Sequence, residues 1–395
     1  MSYAVKSIKQ RYHPTQETLS MMMIFREMVN KAIAIGLENG TSNMKRLSLL
    51  SYNKLAQYDI PSYYKLNAIS QAAARLAHMK QDIRKGRMVK SPLVRKPYIT
   101  TCYGFKVNGM LLSIPARREH ILVPLNNHTV SRLSEEGIQT RSFTVTPQSI
   151  SISIRKVVQE IMPKSVIGID RNLRNVTIST SEGTVMYRTE KMLSIKENMQ
   201  HVRSAFRRND RRVKTNFFMQ QSNRQSRRIQ QYLHKISKDI VQKAKETRSA
   251  IVLEDIKGIR RLYRKGNGQG NKFRRRLNSW SFYELQRQIQ YKAAWGGIPV
   301  QFVDPRCTSK LCPICGHRVQ EDGQNRRKLL CNNCGRSMDR DVVASMNIAH
   351  KGWSRFCHPR GLPDEAMKGN ADNLQPLILR VDGSKLVMIS DGMKN

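Results

Sequence analysis

Four cysteines carry the clearest chemistry in this chain. Cys312 and Cys315, then Cys331 and Cys334, form two C-x-x-C pairs with 15 residues between them. Each two-residue gap lets a tight turn aim two thiolates at one ion, and four such thiolates match a closed, tetrahedral, structural zinc site. A closed site holds a fold and leaves no position for a substrate. The competing reading is a pair of disulfides, but a strongly basic chain with no recognisable signal peptide points to a reducing, cytoplasmic setting. His317 lies inside the loop and is not needed as a ligand, since the cysteines already fill the site. Cys102, Cys307 and Cys357 are scattered and read as ordinary cysteines.

The second chemistry is that of carboxylates. Asp170 ends the apolar run 166–170, Glu254 ends the run 250–254, and Asp341 stands before the helical run 342–349, seven residues past Cys334. Hydrolysis of a phosphodiester needs hard oxygen ligands that clamp two magnesium ions about 4 Å apart, one to activate water and one to stabilise the leaving oxygen. Asp170, Glu254 and Asp341 are the candidate ligands. Each signal is weak alone, because an Asp after a strand is commonly a turn former; their order around the cysteine pairs carries the reading. Their neighbours Asp255 and Asp339 read as lying outside the ion shell, Asp255 on the opposite face of its strand.

These groups need elements to position them. Residues 165–188 read as three short strands with a Ser-Glu-Gly turn, the opening meander of a ribonuclease-H-like α/β fold; 250–253 and 299–303 read as two further strands. Residues 196–248 contain no Gly or Pro and have apolar positions at three-to-four-residue steps, which predicts one long helix or a helical hairpin. Pro14 to Asn39 and Pro61 to Lys90 read as helices, and 98–156 as short β runs forming a small sheet or barrel. Residues 256–276 read as a Gly-punctuated basic loop, and the tail beyond 353 as poorly ordered. Tyr52, Tyr63 and Tyr64 read either as core aromatics or as platforms for stacked bases.

Charge names the partner class. The chain has 70 Lys and Arg against 29 Asp and Glu, a formal charge of +41 over 395 residues, and no run of apolar residues long enough to span a membrane. A polyanion is the expected partner. Residues 201–276 hold 23 of the basic residues against five acids. Arg207, Arg208, Arg211, Arg212, Arg224, Arg227 and Arg228 on the helical stretch, with Arg274, Arg275 and Arg276 beyond it, are candidate phosphate contacts. A solvated helix face is the bland alternative, and the scarcity of acids to pair these arginines argues against it.

Taken together, Gly168-Ile169-Asp170, Leu253-Glu254-Asp255, Thr308-Ser309-Lys310, the four cysteines, and Asp339-Arg340-Asp341 with Asn347-Ile348 resemble the TnpB family, transposon-encoded proteins related to type V CRISPR effectors. Tyr291-Lys292-Ala293 and Gly296-Gly297-Ile298 add to the likeness, which covers about the last 235 residues at motif level. The resemblance implies a multi-domain α/β plus β-barrel protein: a wedge-like barrel (1–13 and 92–160) with an inserted helical recognition domain (14–91), and an RNase H-like, RuvC-type nuclease (161–304 and 339–352) with an inserted zinc ribbon (305–338). It also implies a guide RNA of transposon-end type and a double-stranded DNA target beside a short adjacent motif. Two positions depart from the family pattern. Asn172 stands where Gly is common and is expected to tolerate a left-handed backbone. Val343 and Ser345 stand where Asn and Ala are common, a departure expected to weaken the support of Asp341.

Other function classes fit less well. A paired-histidine transposase needs His-x-His, which the nine histidines do not form. A zinc-ribbon binding module without catalysis leaves the three carboxylates unexplained, and a repressor-like, nuclease-weak relative would be expected to have lost one of them.

Overall fold

The computed structural model describes residues 2–117, 119–206, 216–256, 268, 270–356, 375–383 and 385–389. Two compact units emerge, one of residues 3–157 and one of 158–395 with the first two residues.

In the first unit, strand β1 (Ser2–Arg11) leads into helices α1 (Gln16–Glu38), α2 (Met44–Ser51) and α3 (Ser62–Arg84). Thr15 caps α1, its hydroxyl accepting from the Thr18 N–H at 3.2 Å, so the helix begins just past Pro14. The first predicted helical span holds to within two residues, whereas the second, expected to reach Lys90, ends at Arg84. The remaining strands are β2 (Ile99–Thr101), β3 (Lys106–Asn108), β4 (Leu111–Pro115), β5 (His120–Pro124), then, after helix α4 (Asn127–Leu133), β6 (Gln139–Thr146) and β7 (Ser149–Val158). They pair as a four-stranded sheet in the order β1-β7-β6-β2 and a three-stranded sheet β3-β4-β5. Tyr64 is fully buried and donates to the Pro115 carbonyl at 2.9 Å, with Tyr63 packed on it at 4.8 Å. Of the base-stacking candidates, Tyr64 is therefore a core residue.

The second unit is built on β8 (Ser165–Arg171), β9 (Asn175–Thr180) and β10 (Gly183–Arg188), the expected meander. Helices α5 (Glu190–Ser204) and α6 (Phe218–Glu246) follow, so the described residues of the Gly-free stretch are largely helical, in two segments. Next come β11 (Ser249–Glu254), α7 (Asn271–Ser279), α8 (Phe282–Trp295) and β12 (Val300–Val303). Helix α7 corrects the sequence reading, which left 271–276 in a loop: with Gly270 as its N-cap and no breaker before Trp280, this arginine-rich stretch is helical. The short ribbon strands β13 (Gln320–Glu321), β14 (Lys328–Leu330) and β15 (Ser337–Asp339) precede helix α9 (Arg340–Phe356).

A second correction concerns the tail. Residues 377–388 form two strands, β16 (Leu377–Asp382) and β17 (Lys385–Met388), joined at Gly383. Strand β16 pairs in parallel with β10, Leu377 opposite Val185 through Arg380 opposite Arg188, and buries Val381 in the core. The seven-stranded sheet thus runs β12-β11-β8-β9-β10-β16-β17. The hairpin signal at Asp382-Gly383 was present in the sequence, but the partner strand lies nearly 200 residues upstream, beyond any local pattern.

Strand alternation sorts this sheet into two faces. Ile167, Ile169, Ile251 and Leu253 face α6 and α8 and pack with Ile229, Leu233, Ile236, Leu285 and Ile289. Val166, Ala250 and Val252 face the other way, against Ile348 and Ala349 of α9. The approach of α9 is close because position 168 is glycine: a Cβ there would lie 2.1 Å from the Ser345 carbonyl oxygen and 2.5 Å from the Ala349 nitrogen.

Candidate active site and metal centre

Parity and register bring the three carboxylates together. Strands β8 and β11 are adjacent and parallel, with Leu253 opposite Ile169, so Asp170 and Glu254 come next in the same register at the strands' carboxyl ends. Both share the parity of the α9-facing residues. Helix α9, seated at Gly168, brings Asp341 in its first turn to the same end. Asp170 and Asp341 are buried. Burial holds the Asp170 carboxyl well above its ordinary value, and the charges of Glu254 and Asp341 add to the shift. Glu254 is also raised, by burial, with the Thr308 hydrogen bond and Arg171 opposing.

Each carboxylate has its own support. Asn172 donates to Asp170 Oδ2 at 2.6 Å. The left-handed backbone expected at Asn172 does not occur: among the described non-glycine residues only Arg248 and Cys307 have positive φ. Its side-chain amide, which glycine lacks, is the feature in use. Thr308 donates to Glu254 Oε1 at 2.9 Å. Asn175 donates to Asp341 Oδ2 at 2.7 Å, and Arg327 forms an ion pair with the same oxygen. Ser345 bonds Ser179 at 2.7 Å, tying α9 to β9, and Val343 packs in the cysteine cluster, so the two departures in the third motif have structural uses. Asp339 Oδ1 accepts from the Asp341 N–H at 2.8 Å, a helix N-cap.

On the sheet's opposite face Arg171, 5% exposed, donates to the Glu254 carbonyl at 2.6 Å and to Gln286 at 2.9 Å. Burial lowers its guanidinium to about 10.

This donor set fits magnesium. Carboxylate oxygens are hard ligands, and a divalent cation would offset both the burial and the neighbouring charges of Glu254 and Asp341 that raise Asp170, although among the described residues only the four cysteines already stand within 4.8 Å of one another. Asn175 Oδ1, buried beside Asp341, has no hydrogen-bond partner among the described residues, as suits an acceptor awaiting an ion-bound water. A cleft of about 580 Å³ is lined by Asn175, Arg327 and Asp339, the neighbours of Asp341, with Arg174, Arg188 and Lys328 also in its wall.

The cysteines make a tighter centre. Their four sulfurs lie within 4.8 Å of one another, Cys312 to Cys334 at 3.7 Å and Cys315 to Cys331 at 3.3 Å. A tetrahedral ion with sulfur bonds of about 2.3 Å requires edges near 3.8 Å, so the set fits zinc. Left-handed Gly316 and Gly335 follow the two pairs, and their N–H groups donate to the Cys312 and Cys331 carbonyls at 2.9 and 2.8 Å, closing the knuckle turns. His317 is exposed and bonds a backbone carbonyl, outside the cluster.

Residues 282–348 match the family model described as Cas12f1-like, TNB domain. The TnpB-like protein MJ0751 of Methanocaldococcus jannaschii is 38% identical over 216 residues, covering 52% of this chain and 76% of that one. The chain belongs to the TnpB-like family. Within it, InsQ of Escherichia coli, provisionally named an RNA-guided DNA endonuclease, is 27% identical over 230 residues, 55% of this chain and 53% of that one. The CRISPR-associated endodeoxyribonuclease Cas12f1 of Sulfoacidibacillus thermotolerans is 35% identical over 117 residues, 29% of this chain and 25% of that one. In fold, the chain resembles the Cas12f1 chain of a solved Cas12f1–sgRNA–target DNA complex, with a TM-score of 0.57 at 13% identity over 85% of this chain and 83% of that one.

Of the arginines singled out in this TnpB-like chain, Arg207, Arg208, Arg211 and Arg212 lie outside the described residues. Arg224, Arg227 and Arg228 stand exposed on α6. Arg274, Arg275 and Arg276 lie on α7; Arg276 pairs with Glu197 at 2.5 Å and, with Arg275 and Arg203, lines a groove of about 480 Å³ between the helices. Sequence reasoning missed Asn175, Arg327 and Thr308 as supports of the carboxylates. Thr308 stood in a motif already singled out; Arg327 sits in a ribbon loop with no periodic signal. Among the described residues no helix is long and apolar enough to cross a membrane.

Proposed function

We propose that this chain is an RNA-guided DNA endonuclease: a ribonuclease-H-like, RuvC-type domain with an inserted zinc ribbon cuts DNA with two magnesium ions, and the N-terminal unit is a wedge-like barrel with inserted recognition helices that grips the guide RNA and the target. The observation that carries the reading is the convergence of Asp170, Glu254 and Asp341 on one end and one face of a parallel strand pair. Relatives named as endonucleases support it.

Magnesium, when bound, supplies water activation and stabilisation of the leaving oxygen. The protein's part is to fix the three carboxylates in place through Asn172, Thr308, Asn175 and Arg327. Arg174, Arg188 and Lys328 in the adjoining cleft suit the phosphates of a single strand. The four cysteines hold zinc as a structural ion, and the arginines of α6 and α7 suit the guide RNA backbone.

The deciding experiment is cleavage. Protein purified with its RNA should cut DNA that matches the guide in Mg2+ and not in EDTA, and Asp170→Ala should bind the same DNA without cutting it. A wild-type complex that binds its target and leaves it intact in Mg2+ would instead favour the repressor-like reading.

A further inference from the structure

The loop at 304–311 joins two parts of the site that are far apart in sequence. Its Thr308, 5% exposed, directs Oγ1 toward Glu254 Oε1 at 2.9 Å and toward the Pro305 carbonyl at 3.0 Å. A hydroxyl has one proton, and an ionised carboxylate is the stronger acceptor, so the proton goes to Glu254. The backbone turns left-handed at Cys307, φ 62°, immediately before Thr308, and Lys310 N–H closes the turn on the Cys307 carbonyl at 3.2 Å.

The same loop is gripped by α9. Asn347 uses its amide N–H groups on the Thr308 and Leu311 carbonyls, both at 2.8 Å. Lys351, four residues on and therefore on the same helix face, donates to the Asp304 and Arg306 carbonyls at 3.0 and 2.5 Å. Two side chains of the helix that carries Asp341 thus hold four carbonyls of the loop whose hydroxyl holds Glu254.

We propose that Thr308 is a positioning residue for Glu254, and that Asn347 and Lys351 make the loop a rigid gauge that keeps Glu254 in register with Asp341. One of these carboxylates ends a strand and the other begins a helix; packing of α9 on β8 and β11 sets their separation, and the loop adds hydrogen bonds to it at the site itself. A fixed gauge sets the ion geometry before substrate arrives, and supports of this kind typically matter about 10–100-fold in metal affinity or activity. This inference rests on the nuclease reading for its kinetic arm only.

The test compares Thr308→Val, which keeps the shape and removes the hydroxyl, with Thr308→Ser, which keeps the hydroxyl. In the RNA-loaded protein Thr308→Val should lower kcat by about 10–100-fold with KM for DNA unchanged, and raise the Mg2+ needed for half-maximal rate. Mn2+ binding followed by electron paramagnetic resonance, with Glu254→Ala as the blank, should weaken in Thr308→Val, and Thr308→Ser should restore both readouts. Zinc content and thermal midpoint should match wild type throughout. Unchanged Mn2+ binding and Mg2+ dependence in Thr308→Val would overturn the proposal, as would a loss that serine does not rescue or a wild type binding no Mn2+ above the blank. If wild type binds Mn2+ in a Thr308-dependent way yet cuts no DNA, the positioning role stands and the nuclease reading is what fails.

Discussion

At the scale of single residues, the site turns on which carboxylates meet and which merely stand beside them. On the proposed function Asp170, Glu254 and Asp341 act as one ligand set, so Asp170→Ala, Glu254→Ala or Asp341→Ala should each lower cleavage by about three orders of magnitude or more, with no further loss on combining them. RNA and DNA binding should persist, because many distributed cations carry it. Asp339, which the sequence offers as a bystander, caps α9. Asp339→Ala should therefore cost about 1 kcal/mol in a denaturation curve and reduce cleavage partially. If Asp339→Ala abolished cutting while Asp341→Ala cut normally, the assignment within this Asp-Arg-Asp motif would be reversed.

Between elements, the approach of α9 to β8 decides whether the ligand set exists. Gly168→Ala would drive a Cβ into the backbone of α9, atoms with no rotamer to escape by, and should destabilise by about 1–3 kcal/mol or more while depressing cleavage. At Gly352, farther along α9, an added Cβ meets the buried Val252 at Cγ2 (2.2 Å), Cγ1 (2.8 Å) and Cβ (3.0 Å), a stiff β-branched side chain, so Gly352→Ala should also destabilise. A denaturation midpoint left unchanged by Gly168→Ala would mean that α9 is not anchored there. The α6–α8 contact carries a pH signature. Lys292 donates to Ser237 at 2.6 Å and to the His234 carbonyl at 2.7 Å, and burial lowers its amine to about 8. Between about 8 and the ordinary 10.5 the unfolded chain binds more protons at this residue, so its contribution to stability rises with pH across that window. Lys292→Met should remove that rise, read as the wild-type minus variant stability at pH 8 and pH 10. A flat difference would show that the amine titrates as in the unfolded chain.

For the molecule as a whole, two distant segments complete the second unit. Cys331→Ser should abolish zinc retention and, because ion binding supplies the local folding energy, loosen the ribbon whose Arg327 and Thr308 reach Asp341 and Glu254. Metal analysis and cleavage should fall together; zinc retained with a serine at 331 would mean that three thiolates suffice. Ending the chain after Phe356 removes β16 and β17, strips β10 of its parallel partner and exposes the pocket of Val381. Stability should drop by about 1–2 kcal/mol or more, whereas a disordered tail could be removed without effect.

The sequence by itself determined the chemistry: the four thiolates, the three acids at element ends, the polyanion partner and the helical spans up to Arg84, because each depends on local spacing or composition. It also made the first-motif glycine visible without saying why it is there. Only the tertiary structure decided that this glycine seats α9, that Asn172 serves through its amide, that Asp339 is a cap, and that Thr308, Asn175 and Arg327 hold the acids. It alone joined residues 377–388 to the sheet. Two of these contacts, Asn172 with Asp170 and Asp339 with Asp341, are local, and the others join segments 14 to 192 residues apart. Such contacts leave no period in the chain; they exist only once strand register and helix packing have brought those segments side by side.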